Sequence, residues 1–163
     1  MTQLSSAPVI NEPNVLWHLA RARLAPNMII PPGGHGEKVR NANLSEGELH
    51  RETVLEAVRL ARFPEKPSRL AACFAFDSIE TARLYQRLYF PHGVLHEVRA
   101  MAIKVHVGNF MALEPVPRRP ENHEQMATRY WQNDLNITLE EYPDVWLREL
   151  VVAGPLVVVR SVD

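Results

Sequence analysis

Two aromatic residues flank a polar corner in the stretch CFAFDSIETARLY, residues 73–85. Phe74 lies in an apolar run, and Tyr85 follows eleven residues later in a segment with helical character. A flat heteroaromatic ring such as nicotinamide can be held between two such rings, with stacking worth about 0.5–1.5 kcal/mol beyond burial. The alternative is an ordinary core contact between the two rings. The spacing permits a clamp but is equally compatible with core packing.

His18 and Glu149 are polar residues within apolar segments that resemble strands. The imidazole of His18 can donate a hydrogen bond to a ribose hydroxyl or a ligand amide, and the alternative is a surface or structural histidine. Glu149 opens an apolar run, where burying a carboxylate is costly unless it has a partner or a role. Stabilising positive charge on a sugar, or orienting a nucleophile toward that sugar, is such a role. The alternative is an exposed glutamate paired with Arg148 or another basic residue.

The composition indicates one globular domain with a substantial core. The chain has 163 residues, and 46 % of them are hydrophobic. Because 18 basic and 19 acidic side chains leave a formal net charge of −1, no global attraction to nucleic acid or membrane is expected. The single Cys73 excludes an internal disulfide framework and is interpreted as a small buried hydrophobe. The seven histidines are dispersed, which disfavours a metal site.

Residues 1–13 are interpreted as a flexible leader, and residues 14–163 as a single domain. The start MTQLSSAPVINEPN lacks a basic segment followed by an apolar run, so no Sec-type signal is predicted. No stretch approaches the roughly 20 apolar residues of a membrane span. We therefore expect a cytoplasmic protein without membrane contact. Delivery into another cell by a route without a cleaved signal stays open.

Two capping boxes predict where helices begin. Ser45 with Glu48 begins one helix, and the proline-containing segment 63–68 ends it. Asp77 with Glu80 marks the start of a second helix. This second helix is predicted over residues 79–89, and a further helix is predicted over residues 123–132.

Apolar and alternating segments predict strands in both halves of the chain. Residues 24–43 carry three prolines and three glycines, so they are predicted to form a long loop. A second loop is predicted over the proline-rich residues 114–122, and Gly154 with Pro155 divides the last apolar run into two strands. The predicted strands are 14–21, 69–76, 92–100, 101–110 and the two parts of 147–162. This mixture predicts an α+β fold.

In their order and spacing, these residues resemble the ADP-ribosyltransferase superfamily. The resemblance is to its His-Tyr-Glu branch, which includes diphtheria-type toxins and poly-ADP-ribose polymerases, and within it to small bacterial or phage members. His18 in WHLAR is similar to the histidine of the first core strand of that branch. Phe74 and Tyr85 reproduce the interval between its strand aromatic and its helix tyrosine, and Glu149 in RELVVAGPLVVV resembles its late glutamate. The resemblance spans residues 16–159.

Three positions depart from the family's pattern. Phe74 stands where tyrosine is usual, so it can stack but offers no hydroxyl. LAPNMIIPP resembles the family's L-x-x-G-x-x-I-x-P stretch, with Asn27 where glycine is common. Trp17 precedes the histidine where smaller aromatics are usual. These departures keep the pocket but leave the pose of its ligand open.

The resemblance implies a split β-sandwich of two small sheets with flanking helices, and NAD as a substrate bound in the cleft between them. It implies that His18 holds the 2′-hydroxyl of the ribose next to nicotinamide and counts among the catalytic residues. It implies that Phe74 and Tyr85 enclose the nicotinamide. Glu149 would be the catalytic carboxylate that stabilises an oxocarbenium-like state and orients the acceptor.

Further NAD contacts are expected around these residues. The pyrophosphate needs cationic partners, and arginine suits bidentate phosphate contacts. Arg21 and Arg69 are therefore predicted to bind it, with ordinary surface arginine as the alternative. Ser78 is predicted near the cofactor, although helix capping also explains it. The loop 24–43 is expected to cover the adenosine or the target and to become ordered when NAD binds.

The implied function is the transfer of ADP-ribose from NAD to a protein or nucleic-acid acceptor, as in a bacterial toxin or effector with an immunity or antitoxin partner. The segment VPRRP, residues 116–120, is a candidate basic patch for such an acceptor. If water is the acceptor, the protein is an NAD glycohydrolase. A third interpretation is a non-catalytic binding or immunity module, in which His18 and Glu149 are surface residues and the aromatics are core.

Overall fold

The computed structural model describes residues 15–101, 104–113, 122–132 and 147–162. Within these ranges the chain forms seven strands, four α-helices and two short 3-10 helices. The strands are Leu16–Ala20 (β1), Ile29–Ile30 (β2), Cys73–Ala75 (β3), Val94–Ala100 (β4), Val105–Asn109 (β5), Arg148–Val152 (β6) and Leu156–Ser161 (β7). The α-helices are Gly34–Arg40 (α1), Glu46–Arg62 (α2), Ile79–Tyr89 (α3) and His123–Gln132 (α4). The 3-10 helices are Arg69–Ala71 and Phe110–Leu113. The predicted leader and the loop at 114–121 lie outside the described residues.

The strands form two small antiparallel sheets, which confirms the predicted α+β fold of two sheets with flanking helices. One sheet has the order β1-β4-β7-β2, and the other has the order β3-β6-β5. The turn at Gly154 and Pro155 separates β6 from β7, as predicted, and it carries the chain from one sheet to the other.

A core of small and branched side chains packs the two sheets together. All seven strands except β2 contribute buried side chains, and Ile30 of β2 packs at the edge. The buried members are Leu16, Cys73, Ala75, Val98, Val107, Leu150, Val152, Leu156 and Val158. Burial raises the pKa of the Cys73 thiol to about 11, so this residue is the buried hydrophobe that the sequence predicts.

The other face of the three-stranded sheet carries the residues of interest. Because successive side chains of a strand point to opposite faces, Phe74 and Glu149 lie opposite to the sheet-to-sheet core that holds their neighbours. Val151, two residues after Glu149, packs there in a second core with Leu55 of α2 and Trp131 of α4. The two helices therefore cover this face beside the candidate site.

One backbone contact joins the two sheets near the candidate site. Trp17 and Phe76 exchange two hydrogen bonds, with N–O distances of 2.9 and 2.8 Å. This pairing brings β1 alongside the end of β3. His18, the residue after Trp17, consequently lies next to the backbone of Phe74.

The capping residue agrees with the predicted capping box for α2 and differs from it by one residue for α3. Ser45 and Glu48 form the predicted capping box, and α2 ends at Arg62 just before the predicted breaker. For α3, the capping residue is Ser78 rather than Asp77, and the side chain of Asp77 pairs with Arg148 instead. The predicted range of α3 itself is confirmed.

The prediction of a continuous loop over residues 24–43 is wrong. The segment contains β2 and the seven-residue helix α1. Gly33 adopts φ 98° at the start of α1, and a Cβ at Gly36 would lie 2.0 Å from the carbonyl oxygen of Leu70. The glycines therefore allow α1 to pack closely on the backbone of the first 3-10 helix. Asn27 adopts φ 67°, a left-handed conformation that asparagine tolerates best after glycine.

The predicted strand over residues 69–76 is shorter in the structure. Residues Arg69–Ala71 form a 3-10 helix whose N-terminus is capped by Ser68, and only Cys73–Ala75 belong to β3. This difference matters for the site because Arg69 is turned out of the strand direction and its guanidinium reaches across the face of the sheet.

Candidate functional site

A cavity of about 750 Å³ opens beside the three-stranded sheet. Its wall is formed by residues of β1, β2, α1, α2, both 3-10 helices, β3, α3 and β6. Six of the seven residues singled out in the sequence line it: His18, Arg21, Arg69, Phe74, Tyr85 and Glu149. The segments that supply them are far apart in the chain, and the fold brings them to one place.

Ser78 is the seventh residue, and it is not part of the cavity lining. Its hydroxyl accepts a hydrogen bond from the backbone N–H of Thr81 at 3.1 Å and lies 3.1 Å from Oε2 of Glu80. The structure therefore shows Ser78 as the cap of α3, which is the alternative that the sequence left open.

Glu149 is buried within the wall of the cavity, with only 4 % of its surface exposed. Its Oε1 atom accepts a hydrogen bond from the Tyr130 hydroxyl at 2.6 Å and forms a short ion pair with Nη1 of Arg69. The alternative of an exposed glutamate is wrong because Glu149 is buried. Its basic partner is Arg69, whereas Arg148 contacts Asp77 at 3.1 Å. Both contacts that Glu149 makes to the described part of the chain fall on Oε1, so Oε2 is the oxygen that we expect to contact a ligand.

Arg69 is a buried guanidinium that holds two carboxylates. Its Nε and Nη2 atoms each donate to Glu52 at 3.1 Å in a bidentate arrangement. Its Nη1 atom donates to the Tyr130 hydroxyl at 2.7 Å and to Glu149. Burial alone would lower the pKa of Arg69, but the charges of Glu149 and Glu52 outweigh this effect and raise the pKa, so the guanidinium stays charged.

These contacts bear on the predicted role of Arg69 in phosphate binding. Arg69 lines the cavity, but three of its nitrogen atoms already donate to Glu52, Tyr130 and Glu149. Its side chain is only 5 % exposed. The geometry therefore favours a role in holding Glu149 over contact with a ligand phosphate.

Glu52 anchors this network from α2 and is only 1 % exposed. Burial would raise the pKa of its carboxyl group, but the charge of Arg69 and the contact with His35 outweigh this effect and lower the pKa, so Glu52 is ionised. The Nε2 atom of His35 lies 3.0 Å from Oε1 of Glu52. A buried carboxylate is tolerated here because it is paired on both oxygens.

A glycine in β5 makes room for the tyrosine that contacts Glu149. Gly108 lies opposite Glu149 in the pairing of β5 with β6. A Cβ at Gly108 would lie 2.4 Å from Cε2 of Tyr130. Because no side chain stands at this position, the Tyr130 ring packs directly over the strand and its hydroxyl reaches the carboxylate.

The two predicted clamp rings, Phe74 and Tyr85, both line the cavity and are both half-buried. The ring of Phe74 contacts the edge of His35 at 5.4 Å between centroids, and Cζ of Arg69 lies 4.8 Å from its centroid. Tyr85 instead packs against the aromatic rings of its own neighbourhood: Phe76, Tyr89 and Phe110. The two rings thus pack against different neighbours on the cavity wall.

The surroundings of Tyr85 raise the pKa of its hydroxyl. Burial raises the pKa of this hydroxyl, and the negative charge of Glu149 raises it further, while Arg69 and Arg51 act in the opposite direction. Tyr85 therefore stays protonated and presents a neutral ring to the cavity. A neutral, electron-rich ring suits stacking with a cationic heteroaromatic ligand.

His18 is held in one tautomer by the strand beside it. Its Nδ1 atom lies 2.7 Å from the carbonyl oxygen of Phe74, which can only accept, so Nδ1 carries the proton. Burial lowers the pKa of His18, and nearby His96 lowers it further against the effect of the Phe74 carbonyl. The ring is therefore neutral, and Nε2 is an acceptor. The sequence predicted a donor to the ligand, whereas this geometry provides an acceptor for a ligand hydroxyl.

Four residues of the site were missed in the sequence: His35, Arg51, Glu52 and Tyr130. Glu52 gave a usable signal, because it lies three residues before the buried Leu55 on the apolar side of α2. His35 was hidden in a segment predicted to be a loop. Tyr130 and Arg51 gave no signal, since polar residues at helical positions most often face solvent.

Neither metal binding nor a membrane span is indicated within the parts of the chain that the structure describes. In those parts, no three His, Cys, Asp or Glu side chains come together as ligands for a metal ion. Of the helices found there, none combines the length and the apolar character that crossing a membrane requires.

Comparison with known proteins supplies a family but no activity. A search of curated proteins gives no match to this chain. The sequence matches the family described as protein of unknown function (DUF2441) over residues 37–163. The matched range includes Phe74, Tyr85 and Glu149, and it begins after His18. Because the match covers most of the chain, this protein belongs to the DUF2441 family.

Proposed function

We propose that this protein is an ADP-ribosyltransferase that transfers ADP-ribose from NAD to a macromolecular acceptor. The observation that carries the proposal is the convergence of His18, Phe74, Tyr85 and Glu149 on one cavity. The cavity volume of about 750 Å³ lies within the range of about 300–1,000 Å³ that is typical of small-molecule sites. The resemblance to the ADP-ribosyltransferase superfamily concerns the same four residues.

The nicotinamide of NAD would bind between Phe74 and Tyr85. Both rings line the cavity, and each is held by neighbours other than its clamp partner. The nicotinamide ring of NAD is positively charged, so it gains from the neutral aromatic faces and from the nearby carboxylate of Glu149. Stacking on the two rings would fix the plane of the leaving group before the bond to ribose breaks.

His18 would position the ribose that is attached to nicotinamide. Its Nε2 atom is an acceptor because Nδ1 donates to the Phe74 carbonyl. A ribose 2′-hydroxyl can donate to it. This contact would tie the sugar to the clamp, because the His18 ring is itself held by the backbone carbonyl of Phe74.

Glu149 would stabilise the charge that develops on the ribose. The bond between the nicotinamide nitrogen and ribose C1′ breaks, and its electron pair stays on the nitrogen, so nicotinamide leaves as a neutral molecule. Positive charge then moves to C1′, where a fixed carboxylate is most effective. A nucleophilic oxygen or nitrogen of the acceptor forms the new bond to C1′, and its proton is released to water.

The contacts around Glu149 suit this role because they fix the carboxylate before the reaction. Arg69 and Tyr130 both contact Oε1 of Glu149, and Glu52 forms an ion pair with Arg69. A carboxylate whose position is set in advance needs no reorganisation as charge develops. Burial of Glu149 also disagrees with a binding module in which this residue is surface decoration.

A direct experiment is incubation of the protein with NAD labelled in its adenylate phosphate, in the presence of a bacterial lysate. The proposal expects label in a macromolecule, removed by either protease or nuclease, together with release of nicotinamide. Release of free ADP-ribose without labelled macromolecule would replace the transferase with an NAD glycohydrolase on the same site. Absence of nicotinamide release in any lysate, with no NAD binding, would contradict both activities and favour a binding or immunity module.

A further inference from the structure

The wall of the cavity includes an arginine whose side chain is mostly buried. The side chain of Arg51, on α2, is 16 % exposed and lines the cavity. Its Nε atom is buried and has no hydrogen-bond partner among the residues that the structure describes. Buried donors of this kind are rare in folded proteins, because leaving one unpaired costs about 1–3 kcal/mol.

The neighbouring carboxylate of Glu52 does not accept a hydrogen bond from Arg51. Its Nη2 atom lies 3.6 Å from Oε1 of Glu52, which is beyond a normal hydrogen bond. The same oxygen already receives Arg69 at 3.1 Å and lies 3.0 Å from His35. Arg69 therefore occupies Glu52, and the guanidinium of Arg51 is left beside the cavity with donors to spare.

Arg51 lines the same cavity as the two rings between which the nicotinamide is proposed to bind. Its positive charge acts on the hydroxyl of Tyr85, one of the two clamp residues. Lys38 of α1 and Arg21 after β1 line the same cavity. Of the three carboxylates that the described residues contribute to the lining, Glu149 is paired with Arg69, Glu48 caps α2, and Glu37 is exposed.

We propose that Arg51, together with Lys38 from the same cavity lining, is the phosphate-binding group of this cavity, in place of Arg69. A guanidinium presents planar donors that match two phosphate oxygens, and a phosphate would satisfy the buried Nε. The pyrophosphate of NAD is one source of that phosphate, and this interpretation rests on the function proposed above. A phosphate on the acceptor is the other source.

The test is isothermal titration of the full-length protein with ADP-ribose, with inorganic pyrophosphate and with nicotinamide. Arg51→Gln is expected to weaken ADP-ribose and pyrophosphate about 10- to 100-fold and to leave nicotinamide unchanged. Arg51→Lys, which keeps the charge without the planar donors, should fall between Arg51→Gln and the wild type. Arg62→Gln is the matched control, since Arg62 is an exposed arginine on the same helix and outside this cavity.

Wild-type affinity of Arg51→Gln for both phosphate probes would overturn the proposal, and so would failure of the wild type to bind either probe. If Arg51→Gln unfolds, Arg51→Lys and Lys38→Gln carry the same comparison. Competition between pyrophosphate and NAD supports NAD as the source of the phosphate, whereas simultaneous binding supports the acceptor. Pyrophosphate binding that depends on Arg51 in a protein that binds neither NAD nor nicotinamide would uphold this subsite while contradicting the proposed transferase.

Discussion

The hydroxyl of Tyr130 donates a hydrogen bond to Oε1 of Glu149 across 2.6 Å, between two side chains that are both buried. The same hydroxyl accepts from Arg69 at 2.7 Å. A single atom of α4 thus links the guanidinium and the carboxylate of the candidate site. The orientation of Glu149 toward the cavity depends on this hydroxyl as well as on its ion pair with Arg69.

Tyr130→Phe should show that Tyr130 positions Glu149 without contributing to the binding of NAD. The variant keeps the ring that packs over Gly108 but removes the hydroxyl, so the turnover number of NAD should fall while the NAD dissociation constant stays close to the wild-type value. Loss of a buried hydrogen bond next to charged groups should lower the free energy of unfolding by about 1–3 kcal/mol. Steady-state nicotinamide release, NAD titration and urea unfolding measure the three quantities. An increase in KM with unchanged turnover would contradict a positioning role.

Gly108→Ala tests the space that the Tyr130 ring needs. The new methyl group would lie 2.4 Å from the ring, so Tyr130 must move away from Glu149. We expect a loss of about 1–3 kcal/mol in the free energy of unfolding and a fall in turnover. Gly47→Ala is the control, because a Cβ at that exposed position of α2 meets nothing within 4 Å. It should leave turnover unchanged and raise stability by at most about 1 kcal/mol. Equal behaviour of the two variants would contradict the packing argument.

His106 should make the stability depend on pH. Burial lowers its pKa to about 3, aided by the charges of Lys66 and Arg69. Between pH 6.5 and pH 3 the unfolded chain binds a proton on this residue that the folded chain does not bind, so the free energy of unfolding should fall as the pH falls through this range. The contribution is at most about 1.4 kcal/mol per pH unit. Urea unfolding of His106→Gln between pH 7 and pH 4 should show a shallower slope than the wild type, and an unchanged slope would contradict the assignment.

The sequence predicted the elements with strong local signals and missed those set by contacts between distant segments. The capping box at Ser45 and the break at Gly154 are local features, and the structure confirms both. The helix α1 was missed because its glycines, which break helices in isolation, are needed for the close approach of Gly36 to Leu70. No local pattern indicates that Leu70 would be there.

The residues of the candidate site likewise divide into those with a local signal in the sequence and those set by contacts between distant segments. His18 and Glu149 stood out because polar residues in apolar strands are unusual, and both line the cavity. Arg69 was singled out for its proximity to Phe74 along the chain, but its partner Glu149 is 80 positions away. The sequence alone holds no information on that pairing, so it predicted a phosphate ligand for an arginine that the fold uses to hold a carboxylate.

Glu149 is the residue on which the proposed chemistry depends most. Replacing it with glutamine removes the negative charge and changes little volume, so the cavity should keep its shape and NAD should bind nearly as well as in the wild type. Without the charge, positive charge on the ribose is no longer stabilised, and nicotinamide release should fall by at least about 100-fold.

The most direct measurement is therefore the rate of nicotinamide release from NAD by wild type and Glu149→Gln, alongside NAD titration and urea unfolding of both proteins. We predict a folded variant that binds NAD and releases almost no nicotinamide. A folded Glu149→Gln protein that releases nicotinamide at the wild-type rate would rule out Glu149 as the catalytic carboxylate.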